Sequence, residues 1–353
     1  MSKRKPRVTA HELTRQLFGG DIDDHASDTR QQFSRRSKFG QQNKTSRTSQ
    51  MRLDKSALDL DRSSLSTGRV KQVHSVYCAV ELSEGGRLVN AIVKKTLQRT
   101  SDTRVVVGDI VRVRLVPDSS PGVPEAVVEA VEDRTSLLTR ADSFKAMDCH
   151  PIVANAQQVL IVAAVAQPRP KWGLIDRMLV AASLGGLEPI VCINKLDLDD
   201  AELPQETDDE AEYPAWRSAI AHYASMGIRT LATCCETGCG IDDLRAALTG
   251  KITVLAGHSG VGKSSLVRSV APRIDLRIGE VSAVNDKGKH TTTSARDYDL
   301  PELSARLIDT PGVKLFGLWG ISPDKLDVLF ADVASNTAPT WRVMSHQRIR
   351  DSL

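Results

Sequence analysis

The chain has 353 residues, enough for two or three domains, and its 41% hydrophobic and 26% charged residues can bury a core. That balance excludes collagen-like, fibrous and wholly disordered classes. The net charge of +3 hides an asymmetry: residues 1–52 hold twelve Lys and Arg against five Asp and Glu, which is +7 for that tail and −4 for everything else.

The longest clean apolar run, residues 159–166, is far shorter than the roughly 20 residues a bilayer requires. The N-terminus lacks the apolar stretch of a secretory signal. Cys78, Cys149, Cys192, Cys234, Cys235 and Cys239 do not make a disulfide scaffold in a chain this long, which suits a reducing compartment. A cytoplasmic protein with no membrane partner is expected.

Residues 1–66 are rich in Gln, Ser, Thr, Arg and Lys and show no sustained apolar period, so they are expected to be a mostly disordered tail. Its charge favours an arm that neutralises nucleic-acid phosphates over a merely solubilising segment. From 67 to 140 the pattern turns to short β-branched runs at 69–80, 87–93, 103–116 and 125–131, separated by Gly-Gly, Gly-Asp and Pro-Gly signals. Such runs predict a small β-barrel of the oligonucleotide-binding (OB) type, with an SH3-like barrel equally compatible.

From 141 to 320, buried-looking strands alternate with amphipathic helices. Strands are predicted at 159–166, 189–194, 228–234, 252–257 and 306–310, and helices around 174–184, 215–227 and 241–250. This is the pattern of a doubly wound α/β domain with a mainly parallel sheet, which binds ligands beyond the carboxyl ends of its strands. The carboxylate-rich stretch 197–213 reads as a solvated connection.

Three signals carry chemistry. Gly257-His258-Ser259-Gly260-Val261-Gly262-Lys263-Ser264 fits G-x-x-x-x-G-K-[ST] between a strand and a helix. In such a loop the glycines allow the backbone N–H groups to wrap phosphates, Lys263 bridges the terminal phosphate oxygens and the Ser264 hydroxyl binds Mg²⁺. Leu307-Ile308-Asp309-Thr310-Pro311-Gly312 is an apolar strand ending in Asp-x-x-Gly. Asp309 is the expected acidic partner for Mg²⁺ and Gly312 offers its amide to the γ-phosphate.

Asn194-Lys195-Leu196-Asp197 ends the strand at 189–194. One carboxylate can accept both the N1–H and the 2-amino group of guanine, which adenine lacks. Asp197 is therefore expected to read the base, with Asn194 bridging loops and the Lys195 stem covering the ring. Cys234-Cys235-Glu236-Thr237-Gly238 follows the next strand and suits a loop whose backbone amide contacts the guanine carbonyl. A thiol-metal site at Cys234, Cys235 and Cys239 is disfavoured, because no second Cys/His cluster offers complementary ligands. The three signals together predict GTP and GDP as nucleotides. The base motif precedes the phosphate loop, the reverse of the ordinary order, so the fold is a circularly permuted P-loop GTPase domain.

The order of Asn194 to Asp197, the phosphate loop, Gly288-Lys289-His290-Thr291-Thr292-Thr293 and the Asp309 motif, behind a small barrel, resembles the circularly permuted small ribosomal subunit biogenesis GTPases, the RsgA/YjeQ family. The resemblance covers about residues 68–330 and includes the less generic stretches 152–162 and 175–198. It implies a GTPase that binds the small (30S) ribosomal subunit late in assembly, through a barrel on 16S rRNA, and a monomer is expected.

Carried onto this chain, the resemblance extends the phosphate loop to Ser265 and makes 288–293 the first switch. One of the switch threonines then completes the Mg²⁺ shell, with Thr292 as the candidate. Val313 stands where many GTPases place a water-orienting Gln, which implies slow intrinsic hydrolysis, activation by the 30S subunit and His290 as the candidate for positioning water. The alternative is a GTP-gated RNA-binding protein with negligible hydrolysis.

Family members usually continue into a helical domain with a Cys-x4-Cys-x-His-x5-Cys zinc site. Here no cysteine follows Cys239, so zinc is expected to be absent and 321–353 to be a short remnant or a truncated end, with His346 a lone imidazole.

Overall fold

The computed structural model of the protein describes residues 65–74, 77–94, 97, 104–116, 124–141, 149–199, 215–272, 295–310 and 321–352. The basic tail, most of the acidic connection, the candidate switch with His290 and Thr292, and Gly312 and Val313 lie outside them. The described residues all belong to one unit, formed by Leu65–Pro117 with Pro124–Leu353.

The first five strands are β1 (Ser66–Val73), β2 (Cys78–Leu82), β3 (Leu88–Val93), β4 (Ile110–Leu115) and β5 (Ala126–Val131). They close in the order β1-β2-β3-β5-β4-β1, antiparallel except for the parallel pair β3–β5. That closed five-stranded order settles the OB-type barrel against the SH3-like one. Its interior is filled by β-branched residues, among them Val70, Val80, Val89, Val111, Val113 and Val128. These pack well on a pleated surface because their χ1 is already restricted. The run at 69–80 divides into two strands, because His74 N–H donates to the Tyr77 carbonyl and the chain turns there.

A hairpin of β6 (Leu137–Ala141) and β7 (Cys149–Ala154) follows, so the 140/141 point separating barrel from α/β region falls inside β6. The α/β region comprises β8 (Gln158–Ala164), α1 (Trp172–Leu184), β9 (Glu188–Asn194), α2 (Trp216–Ser225), β10 (Arg229–Ala232), α3 (Ile241–Leu248), β11 (Ile252–Gly257), α4 (Lys263–Val270), β12 (Arg296–Leu300) and β13 (Ala305–Asp309). Strands β10-β9-β8-β11-β13 run parallel in that order, and β12 is antiparallel at the end.

Every residue of β8 is buried, as a central strand covered on both faces requires. Successive residues alternate between the faces. Val159, Ile161 and Ala163 pack with Ile175, Met178 and Leu179 of α1, while Leu160, Val162 and Ala164 face Leu244 and Leu248 of α3 and Leu266 of α4. Each such large side chain contributes on the order of 1.5–3 kcal/mol of burial. Strand β12 was not legible: Arg296-Asp297-Tyr298-Asp299-Leu300 carries three charges and no continuous apolar run.

The chain closes with α5 (Pro323–Leu329), α6 (Ala331–Ala334) and α7 (Thr340–Arg350). Ser322 caps α5 by accepting from the Lys325 N–H, with Pro323 at the first helical position. Ile321, Leu326, Phe330 and Ile349 pack on Val180 of α1. Beside them Arg342 of α7 binds Asp176 of α1 and donates to Asp332 at 2.6 Å, and Tyr223 of α2 donates to Asp176 at 2.9 Å. Far from standing alone, His346 pairs with Asp327 at 2.8 Å.

Candidate functional site

The parallel strands end on one side of the sheet, and the sequence motifs lie in the loops that leave those ends. β9 delivers Asn194, β11 delivers the phosphate loop and β13 delivers Asp309. β8, hydrogen-bonded between β9 and β11, fixes the spacing of the first two.

The phosphate loop depends on two glycines. Gly257 has φ +141°, and a Cβ there would meet the Val162 carbonyl oxygen at 2.3 Å. Gly262 has φ +92°, and its Cβ would meet Asn194 Nδ2 at 2.3 Å. Both the left-handed backbone and the close approach require glycine. Asn194 uses that approach: its Nδ2 donates to the Val261 carbonyl at 3.0 Å, so the base motif and the phosphate loop are tied side to side.

Between the glycines, Gly260 also turns with φ +85°, and the His258 ring bonds the Ser259 carbonyl at 2.9 Å. Lys263 opens α4 and folds back over the loop, donating to the carbonyls of Gly257 at 2.8 Å and His258 at 2.9 Å. Ser264 and Ser265 occupy the first turn of that helix. Burial lowers the Lys263 pKa and the nearby Asp309 opposes that shift. Asp309 itself is raised by burial, with Lys263 countering it. The pair is thus a half-compensated charge couple at the strand ends. Thr310 next to it donates to the Leu255 carbonyl at 3.1 Å and locks β13 to β11.

The side that carries Asn194 to Asp197 is equally built. Lys195 has φ +64° and donates to the Gln167 carbonyl at 2.5 Å, which lays its stem across the loop after β8. Leu196 begins a short 3₁₀ turn that includes Asp197, and its N–H bonds the Thr233 carbonyl at 3.3 Å. The Cys234 thiol donates to Asp197 Oδ1 at 3.2 Å, while its backbone N–H donates to the Cys239 carbonyl at 2.9 Å. Thr233 donates to Asn194 Oδ1 at 3.1 Å, and Cys235 lies 3.9 Å from the same oxygen.

Sequence reasoning missed Thr233, Thr310 and Gln167. The signal for the threonines was a hydroxyl immediately after the end of a strand. For Gln167, whose backbone carbonyl does the work, there was none. Among the described residues no group of three or more His, Cys, Asp or Glu stands together to hold a metal ion, and this includes the three thiols of the 234–239 loop.

Two hard oxygen donors, the Asp309 carboxylate and the Ser264 hydroxyl, lie at the mouth of the phosphate loop, a donor set that fits Mg²⁺ rather than a thiophilic ion. The Lys263 charge and the Thr310 backbone N–H partly offset the burial of the Asp309 carboxylate, and a divalent cation would add to them.

A family model described as RsgA GTPase matches residues 131–319. Small ribosomal subunit biogenesis GTPase RsgA 1 of Vibrio vulnificus is 41% identical over 222 residues, 63% of this chain and 59% of that protein. Small ribosomal subunit biogenesis GTPase RsgA of Saccharophagus degradans is 34% identical over 274 residues, 74% of this chain and 76% of that one. The chain thus spans about three-fifths of the length of the first curated relatives it matches. The crystal structure of YjeQ from Thermotoga maritima superposes with a TM-score of 0.58 and 26% identity, over 81% of this chain and 97% of that one. YloQ, described as a circularly permuted GTPase, shares the fold at a TM-score of 0.55. With the permuted order of motifs on one set of strand ends, the chain belongs to the RsgA GTPase family.

Proposed function

We propose that this protein hydrolyses GTP to GDP and phosphate and that it serves in late maturation of the small ribosomal subunit. The observation that carries the proposal is the bond from Asn194 to the Val261 carbonyl beside Gly262. It sets a guanine-type base motif at hydrogen-bonding distance from a phosphate loop, as a single nucleoside triphosphate would need. The names of the curated relatives support the ribosomal role.

In this reading Asp197 accepts both donors of the guanine edge, and Cys234 holds that carboxylate in orientation. The Lys195 stem covers the base. The amides of 258–264 wrap the phosphates, Lys263 releases its two loop carbonyls to bridge the terminal oxygens, and Ser265 continues the helix start. Ser264, Asp309 and Thr292 would hold Mg²⁺, which when bound neutralises charge developing on the phosphate oxygens. Gly312 offers its amide to the γ-phosphate, and His290 orients the attacking water.

The barrel contacts 16S rRNA, and the protein acts as a cytoplasmic monomer without zinc. No helix among the described residues is long and apolar enough to cross a membrane.

The test is the steady-state GTP hydrolysis rate, alone and with purified 30S subunits. A slow basal rate that rises by on the order of 10³ to 10⁵ supports the proposal, since external completion of such sites has that value. Tight GDP binding with no rise would replace it with a GTP-gated RNA-binding protein. Equal affinity for GDP and ADP would remove the base assignment.

A further inference from the structure

Strand β1 of the barrel pairs with β12 of the nucleotide-binding sheet at a single rung. Gln72 of β1 is in register with Arg296 of β12, Arg296 with Asp309 of β13, and Asp309 with Leu255 of β11. Asp309, the candidate metal carboxylate, therefore stands two strands, about 10 Å, from the barrel. Strand β1 shifts its register against β2 between Val70 and Gln72, so the barrel wall is irregular at the same point. Irregularities of this kind re-aim side chains next to functional sites.

One residue along β12 from the rung lies Asp297, whose side chain has no exposed surface. It accepts from Arg69 Nε of β1 at 2.9 Å, from Lys71 Nζ of β1 at 3.4 Å and from Arg306 Nη1 of β13 at 3.2 Å. Around it, Lys71 also donates to Asp299 at 2.8 Å and lies 3.7 Å from Glu81 of β2. Arg306 reaches Glu81 at 2.6 Å and Asp299 at 3.1 Å. Three cations and three carboxylates thus balance, with Arg69, Lys71 and Glu81 from the barrel and Asp297, Asp299 and Arg306 from the β12–β13 hairpin. A buried carboxylate is tolerated only while its partners stay in place. The hairpin cannot move far without either carrying the barrel with it or stranding Asp297.

In the chain, this hairpin follows the candidate first switch and ends on Asp309. We propose that Asp297 is a positioning residue: by holding Arg69 and Lys71 of the barrel and Arg306 of β13 at once, it makes the barrel and the metal end of the nucleotide site respond to each other. The proposal rests on the nucleotide reading given above. Coupling of this kind is reciprocal and typically changes an equilibrium by about 5- to 150-fold. A separate attachment, the Ala154 N–H on the Val107 carbonyl at 2.9 Å before β8 begins, is untouched by changes at Asp297 and keeps the barrel docked.

The experiment is amide hydrogen exchange in the full chain, with and without Mg²⁺ and a non-hydrolysable GTP analogue, alongside GDP affinity measured by titration. Nucleotide is expected to slow exchange in residues 66–82 by about fivefold or more. Asp297→Asn and the double variant Arg69→Gln with Lys71→Gln should each lose that barrel response while binding GDP like the wild type, and Asp297→Glu should restore part of it. If Asp297→Asn fails to fold, the double variant carries the test, because it removes both barrel partners while Arg306 still pairs Asp297. Retention of the response in either variant, or its absence in a wild type that binds nucleotide, overturns the coupling. A wild type that binds no guanine nucleotide refutes the function itself, and the coupling with it.

Discussion

The phosphate-loop end of the sheet and the C-terminal helices are built on opposite principles. At the strand ends, the contacts that matter form between loops whose residues announce themselves by local spacing, such as Gly257, Gly262 and Lys263 within seven positions. On the far side of α1, the contacts come from residues remote in sequence: Arg342 reaches Asp176 across 166 positions, and His222 reaches Asp332 at 2.9 Å across 110. The first region holds its polar atoms in loops open to solvent, with Ser259 and Gly260 exposed. The second spends them on itself, burying an Arg between two carboxylates to dock the end of the chain. The comparison teaches that strongly polar burial alone does not locate a site; the direction in which the donors are left available does.

The largest expected effect tests the docking side. Arg342→Ala leaves Asp176, fully buried, without its cation, and breaking one partner of such a pair costs about 3–5 kcal/mol. Thermal unfolding should show a loss of that size. A loss below about 1 kcal/mol would mean that the apolar contacts of Phe330 and Ile349 dock the helices unaided. Next comes the base side. Asp197→Asn removes a charged acceptor of two hydrogen bonds, so guanine nucleotides should weaken by about 10²-fold or more while xanthine nucleotides gain. An unchanged preference would move the base site elsewhere. Gly262→Ala should then cost roughly 2 kcal/mol, by placing a Cβ at positive φ against Asn194, and should weaken guanine nucleotides even though it lies in the phosphate loop. If it weakens binding of inorganic phosphate and nucleotide alike, the Asn194 bridge is only structural.

Much of this was legible and some was not, for identifiable reasons. The strands around β8 could be read because complete burial demands an uninterrupted apolar run. The places of the 257–264 loop and the 194–197 turn at strand ends could be read because each follows directly on an apolar strand. β12 escaped, since its Asp297 and Asp299 are matched by cations from β1, remote in sequence, and carry no local signature. α7 escaped because its buried side is Arg342, Ser345 and His346 as much as Trp341 and Ile349, so no apolar stripe marks it. The Cys234 contact with Asp197 was not legible, because only the fold brings the thiol to the carboxylate.

The smallest expected effect concerns acid. Burial pushes the Asp332 pKa up, but its bonds to His222 and Arg342 outweigh that and hold it below the ordinary value of 3.8. A depressed folded pKa means stabilisation that is fully present above the unfolded value and lost as pH falls through the folded one. Asp176 is shifted the other way, raised chiefly by burial against the pull of Arg342, so its ionised form opposes folding and its protonation in acid favours it. The two carboxylates of one network therefore act in different windows: as pH falls from neutral towards about 4, protonation of Asp176 adds stability, and below about 4 protonation of Asp332 removes it. Asp332→Asn removes the second of these effects, so its deficit relative to wild type should be constant above about pH 4 and shrink below it. Trp341 packs 5.9 Å from the His222 ring and 5.6 Å from Tyr223, so its fluorescence reports the docking directly. A deficit that stays constant into acid would show that Asp332 serves the network as a neutral hydrogen-bond acceptor rather than as a charge.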